Sequence, residues 1–122
     1  MTLSLHGSES AAGADPVAMA GVFAALGDPT RASLLTELVS GGRGTATSLA
    51  VGRDISRQAV DRHLRVLEGA GLVESRREGR EVVYALNPST VSSSAEWLES
   101  LGRSWERKLS SIKALAESDD RG

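Results

Sequence analysis

A mainly α-helical chain with one small β-hairpin is the fold class that this sequence predicts, and three observations predict it. Asp-Pro pairs at 15–16 and 28–29 each open an apolar-periodic segment. Two short segments, 72–76 and 81–86, that read as strands flank a Gly-containing tip. A stripe of Trp97, Leu101, Trp105, Leu109, Ile112 and Leu115 then steps by four and three residues, the spacing of one helix face.

Residues 1–14 are rich in Ser, Gly and Ala and show no periodicity, so they predict a disordered N-terminal arm. Asp15-Pro16 reads as a helix cap followed by Pro at the first helical position. Val17, Val22, Phe23 and Leu26 continue that helix to Gly27. Asp28-Pro29 repeats the signal, and Leu34, Leu35, Leu38 and Val39 give an amphipathic helix over about 29–40. The Gly-rich run at 41–44 predicts a flexible loop. Thr45 or Thr47 caps a short helix over 47–53, with Leu49 and Ala50 inward. Ser56 is the next cap, with Ile55 and Val60 placed for a hydrophobic staple. Val60, Leu64 and Leu67 give the buried face of a helix over 57–68, which Gly69 and Gly71 end.

Residues 72–76 and 81–86 read as two strands, with the tip at 77–80 carrying Gly79 where a tight hairpin needs positive φ. Asn87-Pro88 closes the hairpin. The last helix spans roughly 94–117, and 118–122 is a frayed tail. The single ordered domain is therefore 15–117. Three helices followed by a hairpin make a winged helix-turn-helix, in which the first and last helices serve dimerisation.

With 122 residues, the chain supports one small core, for which dimerisation adds stability. It has no cysteine, which excludes disulfides, thiolate metal sites and cysteine catalysis. No apolar run approaches the ~20 residues of a membrane span, and the N-terminus lacks the basic and apolar regions of a secretory signal. The expected compartment is the cytoplasm, with nucleoid association when bound to DNA. Net charge is −2, yet 53–80 carries seven arginines against five acids. All but two of the 14 basic residues are Arg, the side chain suited to bidentate phosphate and base contacts.

Once Val60, Leu64 and Leu67 fix the buried stripe of the helix over 57–68, the opposite face carries Arg57, Gln58, Asp61, Arg62 and Arg65. Arg pairs with guanine, Gln with adenine, and Asp accepts from cytosine. Ser56 and the helix N-terminus offer N–H groups to a phosphate. Arg76, Arg77 and Arg80 gather at the hairpin, where a phosphate backbone is a natural partner and edge protection is the competing explanation. The candidate DNA-contacting set is Thr47, Ser56, Arg57, Gln58, Asp61, Arg62, Arg65, Arg76, Arg77 and Arg80. Tyr84 is expected in the core beneath the wing.

The segments FAALGDPTRASLLTEL (23–38) and SRQAVDRHLRVLEGAGLVESRREGREVVYALNP (56–88) resemble the ArsR/SmtB family of bacterial winged-helix repressors. The resemblance covers about 17–117. It implies a cytoplasmic homodimer that binds a pseudo-palindromic double-stranded operator, and it places base reading on Arg57, Gln58, Asp61 and Arg62. His63-Leu64 matches the family's usual pair. Arg53 and Asp54 depart from the pattern, where an apolar residue and Pro or Gly are usual. Either Val51 fills that contact or the short helix is mobile.

Many members of the family sense metals, but here the last helix has no His, and His6 and His63 stand alone. The sequence therefore predicts no metal site and no cofactor. It resembles a cysteine-free branch marked by the RREGRE wing and a Trp-containing last helix. The stripe is too apolar to stay exposed. Its expected role is dimer core, with Val17, Val22, Phe23, Trp97, Leu101, Trp105, Leu109 and Ile112 at the interface. An apolar cavity for a small-molecule effector is the second reading of the same stripe.

Two other functions compete with a transcriptional regulator. A winged-helix protein-interaction module with weak non-specific DNA binding fits the net charge and the acids at 74, 78 and 81. An enzyme does not fit: the chain has no phosphate loop and no HExxH, and Ser56 and His63 lie nearly two helical turns apart.

Overall fold

Capping chemistry sets the boundaries of the helices in the computed structural model, which describes residues 15–121. Helix α1 spans Pro16–Leu26; the Asp15 carboxylate accepts from the Val17 N–H at 3.0 Å. Helix α2 spans Pro29–Gly41 and starts the same way, with Asp28 accepting from the Arg31 N–H at 3.0 Å. Strand β1 is Arg43–Thr45 and leads directly into α3, Ala46–Ala50. Thr45 and Ser48 form a reciprocal capping box there, each side chain accepting from the other's backbone N–H. Helix α4, Arg57–Gly69, is capped by Ser56, whose hydroxyl accepts from the Ala59 N–H at 3.1 Å.

Strands β2, Val73–Glu78, and β3, Glu81–Leu86, follow, and α5 runs over Pro88–Arg121. Glu78 pairs with Glu81, so Gly79 and Arg80 alone make the turn, and Gly79 takes φ +64° as a two-residue hairpin demands. The described chain divides into two compact units: Asp15–Ser92, and the part of α5 from Ser93 onward.

The core of the first unit is aliphatic. Leu34 and Leu38 of α2, Val60, Leu64 and Leu67 of α4, and Leu72 and Val73 at the start of the wing are all excluded from solvent. The Val60–Leu64–Leu67 spacing expected to be buried is buried completely. Tyr84 lies in this core, only 3% exposed.

Several expectations are corrected. The glycine-rich loop at 41–44 ends as a strand: β1 pairs antiparallel with β3, giving a sheet of order β1–β3–β2 among the described residues. Pairing satisfies backbone groups on an edge of β3 that a bare hairpin would leave open. Gly44 is needed in β1, because a Cβ there would lie 2.9 Å from Leu49 Cγ. The short helix is Ala46–Ala50, not 47–53, so Thr45 is its cap and Thr47 lies inside it. Strand β2 reaches Glu78, which puts Arg77 in the strand and not in the turn. Helix α5 begins at Pro88, six residues before the expected start near 94, with the Asn87 side chain accepting from the Ser89 N–H. The run Ser-Thr-Val-Ser-Ser-Ser after Pro88 has weak helix propensity, which hid that start. The helix also continues to Arg121, past the frayed tail expected from 118. The arm at 1–14 lies outside the described residues.

Arg53 does not loosen α3. Val51 is 78% exposed and fills nothing. Arg53 itself makes the contact, with its side chain 16% exposed. Its Nε donates to the Leu49 carbonyl at 2.7 Å, and its two terminal nitrogens donate to Ser33 Oγ at 3.0 Å and Glu37 Oε1 at 2.6 Å. One guanidinium thus closes the C-terminus of α3 and ties it to α2, replacing an apolar contact with a polar one. Arg53→Ala is expected to cost about 1–3 kcal/mol from these bonds. A thermal melt followed by circular dichroism checks this, and a melting temperature equal to the parent's would refute the clamp.

Candidate nucleic-acid interface

Burial of Val60, Leu64 and Leu67 turns the rest of α4 outward. Arg57, Gln58 and Arg62 are exposed. Among the described residues, none of the three has a side-chain hydrogen bond or ion pair within the chain. These are long donors on the first two turns of a helix, free to bond elsewhere. Ser56 is exposed, but its hydroxyl oxygen is engaged with the Ala59 N–H.

Asp61 and Arg65 are differently placed. Arg65 Nε donates to Asp61 Oδ2 at 2.8 Å, and the Tyr84 hydroxyl donates to Asp61 Oδ1 at 3.2 Å. The Asp61 carboxylate pushes the Arg65 pKa above its ordinary value. Burial, and then the same carboxylate, push the Tyr84 pKa up. Each Asp61 oxygen therefore accepts one hydrogen bond from within the chain.

On the wing, Glu78 accepts from Arg43 and lies 3.2 Å from an Arg76 terminal nitrogen. The Arg43 hydrogen bond holds the Glu78 carboxyl below the usual carboxylate range. Arg77 and Arg80 are exposed and, among the described residues, unpaired. Exposed pairs such as Arg76–Glu78 contribute at most about 1 kcal/mol, so a phosphate can compete for Arg76. An open polar groove of about 290 Å³ gathers Thr47 from α3, Arg57, Asp61 and Arg65 from α4, and Arg80 from the wing tip. Its lining joins residues up to 37 positions apart (45 to 82) and sets three arginines against Asp61 and Glu81. Arg62, Gln58, Arg76 and Arg77 lie outside its lining.

His63 faces the other way, toward the start of α2. Its Nδ1 lies 3.3 Å from an Arg31 terminal nitrogen and 3.9 Å from Asp28. Arg31 Nε also donates to the Ala25 carbonyl at 2.6 Å, closing the end of α1. The backbone N–H of Arg31 is the main cause holding the Asp28 carboxyl below its usual range; the charges of His63 and Arg31 add to it. LGDPTR is thus a joint between α1, α2 and α4. Among the described residues no group of three or more His, Asp or Glu side chains is placed to hold a metal ion.

The candidate dimer residues divide. Val22 is buried in the chain's own core, a correction: α1 turns that side inward together with Met19 and Ala25. Val17 is exposed, and Phe23 is half-buried. On α5, Trp97 is half-buried, while Leu101, Trp105, Leu109 and Ile112 are exposed, Trp105 by 59%. Leu98, absent from the expected stripe, is exposed beside them. The Arg53 clamp and the Tyr84–Asp61 bond were also missed. Arg53 reaches Ser33 and Glu37, and Tyr84 reaches Asp61, across 16 or more positions, and only tertiary structure brings them together.

A helix-turn-helix with a winged hairpin and an arginine-bearing second helix defines a DNA-binding transcriptional regulator. A family model described as a helix-turn-helix domain matches residues 26–76. The transcriptional repressor SdpR of Bacillus subtilis is 35% identical over 80 residues, 66% of this chain and 88% of that one. The regulator Rv2034 of Mycobacterium tuberculosis is 36% identical over 95 residues, covering 78% and 85% of the two chains. The solved structure of an ArsR-like transcriptional regulator from Rhodococcus sp. RHA1 superposes with a TM-score of 0.71 at 43% identity, covering 82% of this chain and 93% of that one. The chain belongs to the ArsR/SmtB family of winged helix-turn-helix transcriptional regulators.

Proposed function

We propose that the protein acts in the cytoplasm as a homodimeric repressor on a pseudo-palindromic double-stranded operator. Base reading falls to Arg57, Gln58, Arg62 and Arg65, and Thr47, Ser56, Arg76, Arg77 and Arg80 grip the flanking backbone. The observation that carries this reading is the outer face of α4, where Arg57, Gln58 and Arg62 have no partner among the described residues while the opposite face is fully buried. Dimerisation rests on the apolar face of α5, which a single chain leaves to water over Leu98, Leu101, Trp105, Leu109 and Ile112. Val17 and Phe23 of α1 complete that interface, and the two recognition helices then address half-sites about one DNA turn apart, roughly 34 Å. No metal or cofactor takes part in this reading.

The test is a titration of the protein against the intergenic DNA upstream of its own gene, with random DNA as control, at two salt concentrations. Selective binding that survives the higher salt supports a sequence-reading regulator. Equal, weak binding on both DNAs that vanishes with salt would replace this reading with a protein-interaction module.

A further inference from the structure

Asp61, Arg65 and Glu68 lie at i, i+4 and i+7 on α4, along one face beside the buried stripe. That face meets the wing at two points. Tyr84 of β3 donates to Asp61 Oδ1 at 3.2 Å, and Ser75 of β2 donates to Glu68 Oε2 at 2.7 Å. Ser75 and Tyr84 are opposite each other in the β2–β3 ladder. One cross-strand pair therefore grips one helix at points seven residues apart, about 10.5 Å along its axis. The buried stripe packs α4 on the core, and these two points add a polar register on the face that bears Arg65.

We infer that the wing sets the orientation of the recognition helix through this pair, and that Asp61 is a positioning residue for Arg65 and not a reader of bases. The inference rests on the sequence-reading function proposed above. Tyr84 is buried, and a buried hydroxyl must keep a partner. Asp61 is the partner recorded for it. A carboxylate that swung out to a cytosine would orphan that hydroxyl, at a cost of about 1–3 kcal/mol, comparable to the gain from a base contact. Asp61 also accepts from Arg65 Nε, which lays the guanidinium along the helix and leaves its two terminal nitrogens free at the groove shared with Arg57 and Arg80. A guanidinium already held loses less freedom per bond formed with DNA. A tyrosine that never touches DNA is thereby placed to govern what Arg65 does there.

The experiment is selection from a random-sequence duplex pool with the full chain and with Tyr84→Phe, Asp61→Asn, Ser75→Ala and the Tyr84→Phe/Asp61→Asn double variant. Melting temperatures and random-DNA affinities are measured alongside. The parent is expected to enrich two half-sites. Tyr84→Phe and Asp61→Asn should each lose about three- to tenfold of discrimination at one base step per half-site, the scale of one hydrogen bond. Random-DNA affinity should hold within about twofold for Tyr84→Phe, which changes no charge, and should rise for Asp61→Asn, which removes a negative charge beside Arg57 and Arg65. The double variant should lose no more than the worse single one, as members of one unit do. Ser75→Ala should shift the same step.

A Tyr84→Phe motif identical to the parent's at every position would overturn the inference and leave the function standing. Losses spread evenly over all positions, tracking the melting temperature, would overturn it too, because they describe a core bond only. Failure of the parent to enrich any sequence would instead remove the sequence-reading function, and the inference with it.

Discussion

Arg62→Ala is expected to lower operator affinity by about 5- to 150-fold and to flatten base preference in each half-site, the 1–3 kcal/mol that one bidentate arginine–guanine pair supplies. Arg62 is exposed on the second turn of α4 and, among the described residues, unpaired, so its removal leaves no orphan in the protein and the loss reports the DNA contact. Arg65, one turn further on, is already bonded to Asp61 and cannot give so clean a result. Arg77→Ala is the matched control. It sits in β2 on the wing, also exposed and unpaired, and a phosphate contact there should weaken operator and random DNA alike. It should also reduce the slope of log affinity against log salt by about one. Anisotropy titrations on both DNAs at three or more salt concentrations separate the two behaviours. An Arg62→Ala protein that loses equally on both DNAs would remove Arg62 from base reading.

The recognition helix was legible because a local rule generates it. A Ser cap and three apolar residues at helical spacing determine which side is buried, and the arginines follow on the other side. The hairpin was legible from Gly79 between the segments 72–76 and 81–86 and from Asn87-Pro88 after them. Strand β1 was not, because three residues between glycines and a capping box carry no periodicity of their own; β3 makes them a strand by pairing. Asp61 was readable as a polar residue on the outer face, but its partner Tyr84 lies 23 positions away, and no spacing rule links them. Arg53 looked like a defect in the pattern for the same reason. Its bonds to Ser33 and Glu37 become visible only once α2 and α3 are side by side. Val22 shows the converse: an apolar residue on a helix reads equally well as core or interface until burial decides.

Trp105→Glu is expected to convert the protein to a monomer and to reduce operator binding by about two orders of magnitude or more. Trp105 is the largest side chain on the exposed stripe of α5, with Leu101 and Leu109 one turn to either side. Burying such a side chain contributes about 2–3 kcal/mol, and a two-fold axis doubles it. A carboxylate in its place also has to be desolvated without a partner, which opposes association further. Loss of the dimer makes the two half-sites independent, and the gain from linked binding, about 10²–10⁴, disappears without any change in the DNA-contacting residues. Because Trp105 is 59% exposed in the single chain and the unit Asp15–Ser92 has its own core, circular dichroism should remain that of a folded helical protein. Sizing by light scattering, together with operator and random-DNA titrations, decides the matter. A Trp105→Glu protein that is still dimeric would move the interface away from this stripe, and a monomer that binds its operator undiminished would show that a single winged helix suffices.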